Sequence, residues 1–163
     1  MAVNAYLVIG GIDGPSTSKT NAIDILSFSF GSSQTSVYGV GASGKEAKAG
    51  RADFSNLSIM KVTDKTSPFL FEACVKATII PKVELFYDKP VAGKQQDYFK
   101  ITLKDALVTS QQLSGSNENP SESVSFAFQA VEVAYAAEKD DGTLDSFVPK
   151  GFNLENLAEW AAA

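Results

Sequence analysis

Histidine is absent from this chain of 163 residues, and cysteine and tryptophan occur once each. Without an imidazole, Ser-His and Cys-His nucleophilic mechanisms and most zinc sites fall away together. Cys74 alone permits no intramolecular disulfide, and its place on an apolar helix face points to packing rather than chemistry. No apolar run approaches the length of a membrane span, and Met1-Ala2-Val3-Asn4 lacks the basic start of a secretory signal. The expectation is a chain made in the cytoplasm, without membrane insertion. Basic residues are scattered, and the net charge of -5 disfavours phosphate backbones and anionic lipid, so nucleic acid is not an expected partner.

What is present is an ordinary globular balance, 44% apolar and 20% charged, in a length that suits one domain over residues 1–163. Strand signals dominate. Ala5 to Ile9 opens the chain, and Gly10-Gly11-Ile12-Asp13-Gly14-Pro15 closes that run with turn residues. Val83, Leu85 and Tyr87 alternate, as do Phe99, Ile101 and Leu103, with a turn expected over Asp88 to Gly93; the two runs read as a hairpin. Leu57, Ile59 and Lys61 form another alternating run.

Two runs change parity. Ile23 and Ile25 give way to Leu26, Phe28 and Phe30, and Val124, Phe126 and Phe128 give way to Val131, Val133 and Tyr135. A β-bulge in each would bend a strand round a corner. On this reading Leu26, Phe28 and Phe30 face the core and Ser27 and Ser29 the opposite side.

One helix is written into this β pattern. In Asp64-Lys65-Thr66-Ser67-Pro68, Ser67 is the expected N-cap and Pro68 the first helical residue, with the helix running to about Ala77 and Leu70, Cys74 and either Ala73 or Ala77 forming its apolar stripe. The predicted fold is therefore mostly β: a small barrel of two packed, mainly antiparallel sheets, with one short helix at about Ser67–Ala77 on its flank and a long extended loop. That loop, Gly31 to Gly50, is Gly- and Ser-rich and longer than a compact domain needs without a task.

Enzyme motifs are weak. Gly39 to Lys45 fits GxxxxGK, but Glu46 replaces the hydroxyl that would meet magnesium, and a carboxylate there repels phosphate. Asp140-Asp141-Gly142 and Asp145 supply only part of a calcium loop, and a solvated turn is the reading adopted. Glu118 and Glu122 read as a polar connection before the last long strand. No catalytic residue, metal ligand or cofactor is assigned, and the chain is not expected to be an enzyme. A monomeric β-sandwich binding a sugar or peptide stands as the alternative to a structural subunit.

The strings AYLVIGGIDGPS, IDILSFSFGSSQT, DKTSPFLFEACVKA, YFKITLKDALVTS and ESVSFAFQAVEVAY, in this order and spacing, resemble the haemolysin-coregulated protein (Hcp) family of the bacterial type VI secretion system. The resemblance runs from Ala5 to about Asn153. It implies a homohexameric ring stacked into the inner tube, partnered by sheath and spike proteins, carrying small effectors in its lumen, and secreted through the apparatus without a signal peptide. It also implies that Ser27 and Ser29 face the lumen. The inter-ring contact would fall on Val37, Tyr38, Gly39, Val40, Gly41, Ala42, Ser43, Gly44 and Lys45. The variable tail, residues 154–163, departs from the family pattern. In it Leu154, Leu157 and Ala158 are spaced to share a helix face, with Asn153 as cap.

Overall fold

The computed structural model describes residues 3–38 and 47–162. Its elements are β1 (Asn4–Ile9), β2 (Ile23–Asp24), β3 (Ser27–Ser29), β4 (Ser32–Tyr38), β5 (Ala47–Phe54), β6 (Leu57–Val62), α1 (Ser67–Val75), β7 (Ile80–Val91), β8 (Lys94–Ser114), β9 (Ser121–Ala127), β10 (Ala130–Tyr135), β11 (Val148–Asn153) and β12 (Ala158–Glu159). The expected mostly β architecture with one short helix is what forms.

Two antiparallel layers face each other. The first has the order β12-β11-β10-β8-β7-β1-β2, and the second runs β8-β9-β6-β3. Strand β8 belongs to both: its first half pairs with β7 and β10, and from Leu107 onward it pairs with β9. The turn from one layer into the other falls at Asp105, whose φ of 48° is a left-handed conformation that a short polar side chain tolerates. On the other flank Ile25 donates its amide to Ala5 O in the first layer (3.1 Å), and the next residue, Leu26, donates to Met60 O in the second (2.7 Å). The β2–β3 segment thus joins the layers without continuing the ladder through them, so the fold is a sandwich rather than a closed barrel.

These crossings correct the expected bulges. The parity change between Ile25 and Leu26 comes from a strand ending in one layer and restarting in the other. The change after Phe128 has the same origin, since β9 lies in the second layer and β10 in the first. The register irregularities lie at Gln34/Ser36, Tyr87/Asp88 and Val108/Ser110 instead. Leu26, expected in the core, is 65% exposed, because at the crossing point its side chain has left both inner faces.

The core fills the space between layers. Leu7, Ile9, Val83, Leu85, Ile101 and Leu103 from the first meet Leu57, Ile59, Val124 and Phe126 from the second, all buried; each such side chain contributes roughly 1.5–3 kcal/mol. The predicted hairpin pairs residue for residue, Val83 with Leu103, Leu85 with Ile101 and Tyr87 with Phe99. Its turn is shorter than expected: strand pairing runs on to Val91 and Lys94, leaving Ala92 and Gly93, both at positive φ, as a two-residue connection whose twist suits the strands.

Helix α1 lays Leu70 and Ala73 on the sandwich. Its N-cap is Thr66, one residue before the expected Ser67, and it stops at Val75, short of Ala77. There Thr78 N–H reaches Ala73 O (3.1 Å), Ala77 N–H reaches Cys74 O (3.3 Å), and Ala77 takes φ 51°, which is a Schellman ending without its usual glycine. Residues 154–159 form no helix either. Asn153 Oδ1 accepts from Glu155 N–H (2.9 Å) and caps a turn that returns the chain as β12 beside β11. The Gly-rich segment is largely a two-stranded ribbon, β4 against β5, from Ser32 opposite Phe54 to Tyr38 opposite Ala47.

Candidate functional face

Alternation along the second layer sends one set of side chains to the core and the other outward. Outward, the antiparallel register assembles transverse rows. Ser29 lies opposite Ser58, Ser58 opposite Ser125, and Ser125 opposite Ser110, so one row across β3, β6, β9 and β8 is entirely serine. The adjacent row is Ser27, Met60, Ser123 and Gln112, and beyond it Val62 meets Ser121, which meets Ser114. No charged side chain occurs in these rows.

The face is cross-linked by its own hydroxyls. Ser58 Oγ and Ser125 Oγ are 2.8 Å apart, Asn56 Nδ2 donates to Thr109 Oγ1 (3.0 Å), and Thr109 Oγ1 donates to Ser125 O (3.2 Å). Thr109 is the extra residue at the Val108/Ser110 irregularity, and it ties the bulged edge to the next strand. Ser27 and Ser29 are exposed, as the alternation predicts, while Phe28 between them turns inward onto Tyr87 and Phe99 with ring centroids 5.5 and 6.0 Å away. Phe30 likewise packs with Phe54 and Phe128.

The opposite side of the same layer carries its charge. Lys61 and Glu122 are fully buried and paired. Lys61 Nζ also reaches Asp64 Oδ1 (3.2 Å) and Ser67 Oγ (3.3 Å), Ser67 Oγ donates to Glu122 Oε1 (2.9 Å), and Gln111 Nε2 donates to Glu122 Oε2 (2.9 Å). Glu122 is therefore no part of a polar connection, as its sequence neighbourhood suggested. Ser67 is committed to this network and not to capping the helix. The ion pair fastens α1 to the back of the serine rows, and keeps lysine and carboxylate off their front.

Chemically, the front offers short hydroxyls that donate and accept without fixed charge, with Met60 exposed inside the second row and Leu26 and Val62 exposed beyond it. Such a surface hydrates readily, its hydroxyls free to exchange partners with water. Elsewhere, Tyr6 donates its hydroxyl to Asp97 Oδ1 (2.5 Å) under Lys19, and burial, followed by that hydrogen bond and the nearby carboxylates, pushes its ionisation well above the usual phenol range. Asp141 accepts from Thr143 Oγ1 (2.6 Å) and Thr143 N–H (3.0 Å), which lowers its carboxyl; it sits on an exposed turn. Of the residues assigned to ring stacking, Val37 and Tyr38 end β4, and Gly39, Val40, Gly41, Ala42, Ser43, Gly44 and Lys45, with the GxxxxGK match, lie outside the described residues.

Sequence reading found Ser27 and Ser29 but not Ser58, Ser110, Ser121, Ser123 or Ser125. The signal was present in Ser121-Glu122-Ser123-Val124-Ser125, a strict alternation in which one buried partner happens to be a carboxylate.

The fold is thus a two-layer β-sandwich with a flanking helix and an uncharged hydroxyl face on its second layer. The family model for "Type VI secretion system effector, Hcp" matches residues 6–135. Protein hcp1 of Pseudomonas aeruginosa is 36% identical over 159 residues, covering 94% of this chain and 96% of that protein. The crystal structure of Hcp1 from Salmonella typhimurium superposes with a TM-score of 0.78 at 27% identity, covering 98% of this chain and 100% of that one. A structure described as a type six secretion system protein superposes with a TM-score of 0.86, at 23% identity and with 98% and 100% coverage. The chain belongs to the Hcp family, the structural tube proteins of type VI secretion. Among its described residues no helix is long and apolar enough to cross a membrane.

Proposed function

We propose that this chain builds the inner tube of a type VI apparatus as closed homohexameric rings that stack, and that the serine rows of the second layer line the lumen. The observation that supports this reading is the uninterrupted Ser29, Ser58, Ser125, Ser110 row on a face without charge. A channel that must pass different effectors gains from a wall that no cargo charge can grip, with hydroxyls keeping it wet. Ser27 and Ser29, the exposed members nearest the β3 edge, are the proposed effector contacts. The segment Val37–Lys45 is the proposed inter-ring contact, reached by the β4–β5 ribbon, and sheath and spike proteins are the proposed outer partners. The protein is made in the cytoplasm and leaves the cell with the expelled tube; no catalytic step is assigned to it.

Native mass spectrometry tests the first element. A closed ring at tens of micromolar protein is expected, and a monomer there would overturn assembly without a partner.

A further inference from the structure

Residues 158–162 lie along the β11 edge and then over the outer face of the first layer, and several independent features hold them there. Trp160 donates its amide to Gly151 O (3.1 Å). A Cβ at residue 151 would stand 2.2 Å from Trp160 O and 3.0 Å from Val131 O, so this path requires glycine. Beyond it, Ala162 donates its amide to Glu132 Oε2 (2.6 Å), a carboxylate only 4% exposed. Beneath lies a cavity of about 120 Å³ lined by Lys82, Thr102, Lys104, Trp160 and Ala162, where buried Thr102 Oγ1 has no hydrogen-bond partner. The slot is specific, and its own strap does not fill it.

The connection that returns the strap is short and strained. Only residues 154–157 separate β11 from β12, and Leu157, an exposed leucine, is forced to φ 56°. A left-handed conformation is costly for a branched apolar residue, and a short hinge under strain favours opening, so that the same element docks on another copy with identical contacts. We infer that residues 158–162 are an exchangeable strap, which seats in the β11 slot of a second copy of this chain as well as in its own. Exchange preserves every docking contact and releases the strain at Leu157. The inference stands on the strap and its hinge, independently of the ring reading.

Lys150 and Ala161 are exposed and line the same cleft, so cysteines there report who occupies the slot. In a full-length Cys74→Ala background, a chain carrying both Lys150→Cys and Ala161→Cys is expected to form an internal disulfide. A mixture of the two single-cysteine chains, refolded together, is expected to give a disulfide-linked pair on a non-reducing gel. Leu157→Gly should lower that linked fraction about fivefold by removing the left-handed strain. Leu157→Pro, which cannot take positive φ, should raise it. Gly151→Ala should abolish both kinds of link, because the strap can no longer seat. An internal disulfide with no linked pair in the mixture would overturn exchange. So would a linked pair indifferent to the Leu157 and Gly151 variants, which is collision, and so would the absence of an internal disulfide, which would mean the strap is not docked.

Discussion

Lys61 and Glu122 stand directly opposite each other on β6 and β9, fully buried, and close their ion pair beneath the first turn of α1. Further bonds in the network come from Ser67, Asp64, Gln111 and the Val62 carbonyl, so neither charge is left uncompensated. Removing one partner strands the other in the core. Lys61→Met alone or Glu122→Leu alone is expected to cost about 3–5 kcal/mol, whereas the double substitution should come within roughly 1–2 kcal/mol of the parent. Urea unfolding of all four proteins checks this. Additive losses would show that the two residues act separately.

Helix α1 carries an avoidable strain at its end. Ala77 sits at φ 51° in a position that glycine normally fills. Ala77→Gly is expected to stabilise the protein by about 0.5–1 kcal/mol, because relief of left-handed strain exceeds the added freedom of the unfolded chain. Denaturant midpoints decide; a loss of stability would mean that the C-terminal turn is not formed as described.

Tyr6 links stability to alkaline pH. Its phenol ionises at higher pH in the folded protein than in the unfolded chain, first through burial and then through the bond to Asp97. A raised folded-state value contributes stability that is fully present below the ordinary tyrosine range and is lost as pH rises through it, from about pH 10 upward. Tyr6→Phe should flatten that part of the pH dependence, measured as melting temperature from about pH 8 to pH 11 against the parent. An unchanged slope would remove Tyr6 as the cause.

The two faces of the second layer predict opposite mutational behaviour. Ser29→Gln enlarges the open serine row and should change stability by no more than about 0.5 kcal/mol, with the ring retained and effector retention reduced. Phe126→Ala, on the buried side, should cost roughly 3–5 kcal/mol. An effector that co-purifies equally with parent and Ser29→Gln would exclude Ser29 as a cargo contact.

Ring stacking is expected to respond separately. Aspartate at both Tyr38 and Val40 should leave the mass of the ring unchanged and abolish stacked rings in micrographs. Dissociation of the ring itself would instead place this segment within the ring interface.

Much of this molecule was decided locally. Period-two alternation with turn residues specified β7 and β8 as a hairpin but not its register: the turn expected over Asp88 to Gly93 narrows to Ala92 and Gly93, and with the irregularity at Tyr87/Asp88 this brings Val83 opposite Leu103. The Thr66-Ser67-Pro68 start placed the helix, and the Phe28 parity placed Ser27 and Ser29 outward. Long-range facts were not local. A parity change reads the same whether a strand bulges or moves between layers, and only the partners of Ile25 and Leu26 distinguish them. Glu122 reads as a solvated residue until Lys61, distant in sequence, arrives to pair with it. The serine row exists only once β3, β6, β9 and β8 lie side by side, since no stretch of chain contains more than a fragment of it. The apolar spacing of Leu154, Leu157 and Ala158 suggested a helix, but the β11 edge offered Trp160 N–H and its neighbours partners that a single helical turn in water does not match. Side-chain pattern along the chain set which faces are apolar, and the pairing of distant strands decided what those faces meet.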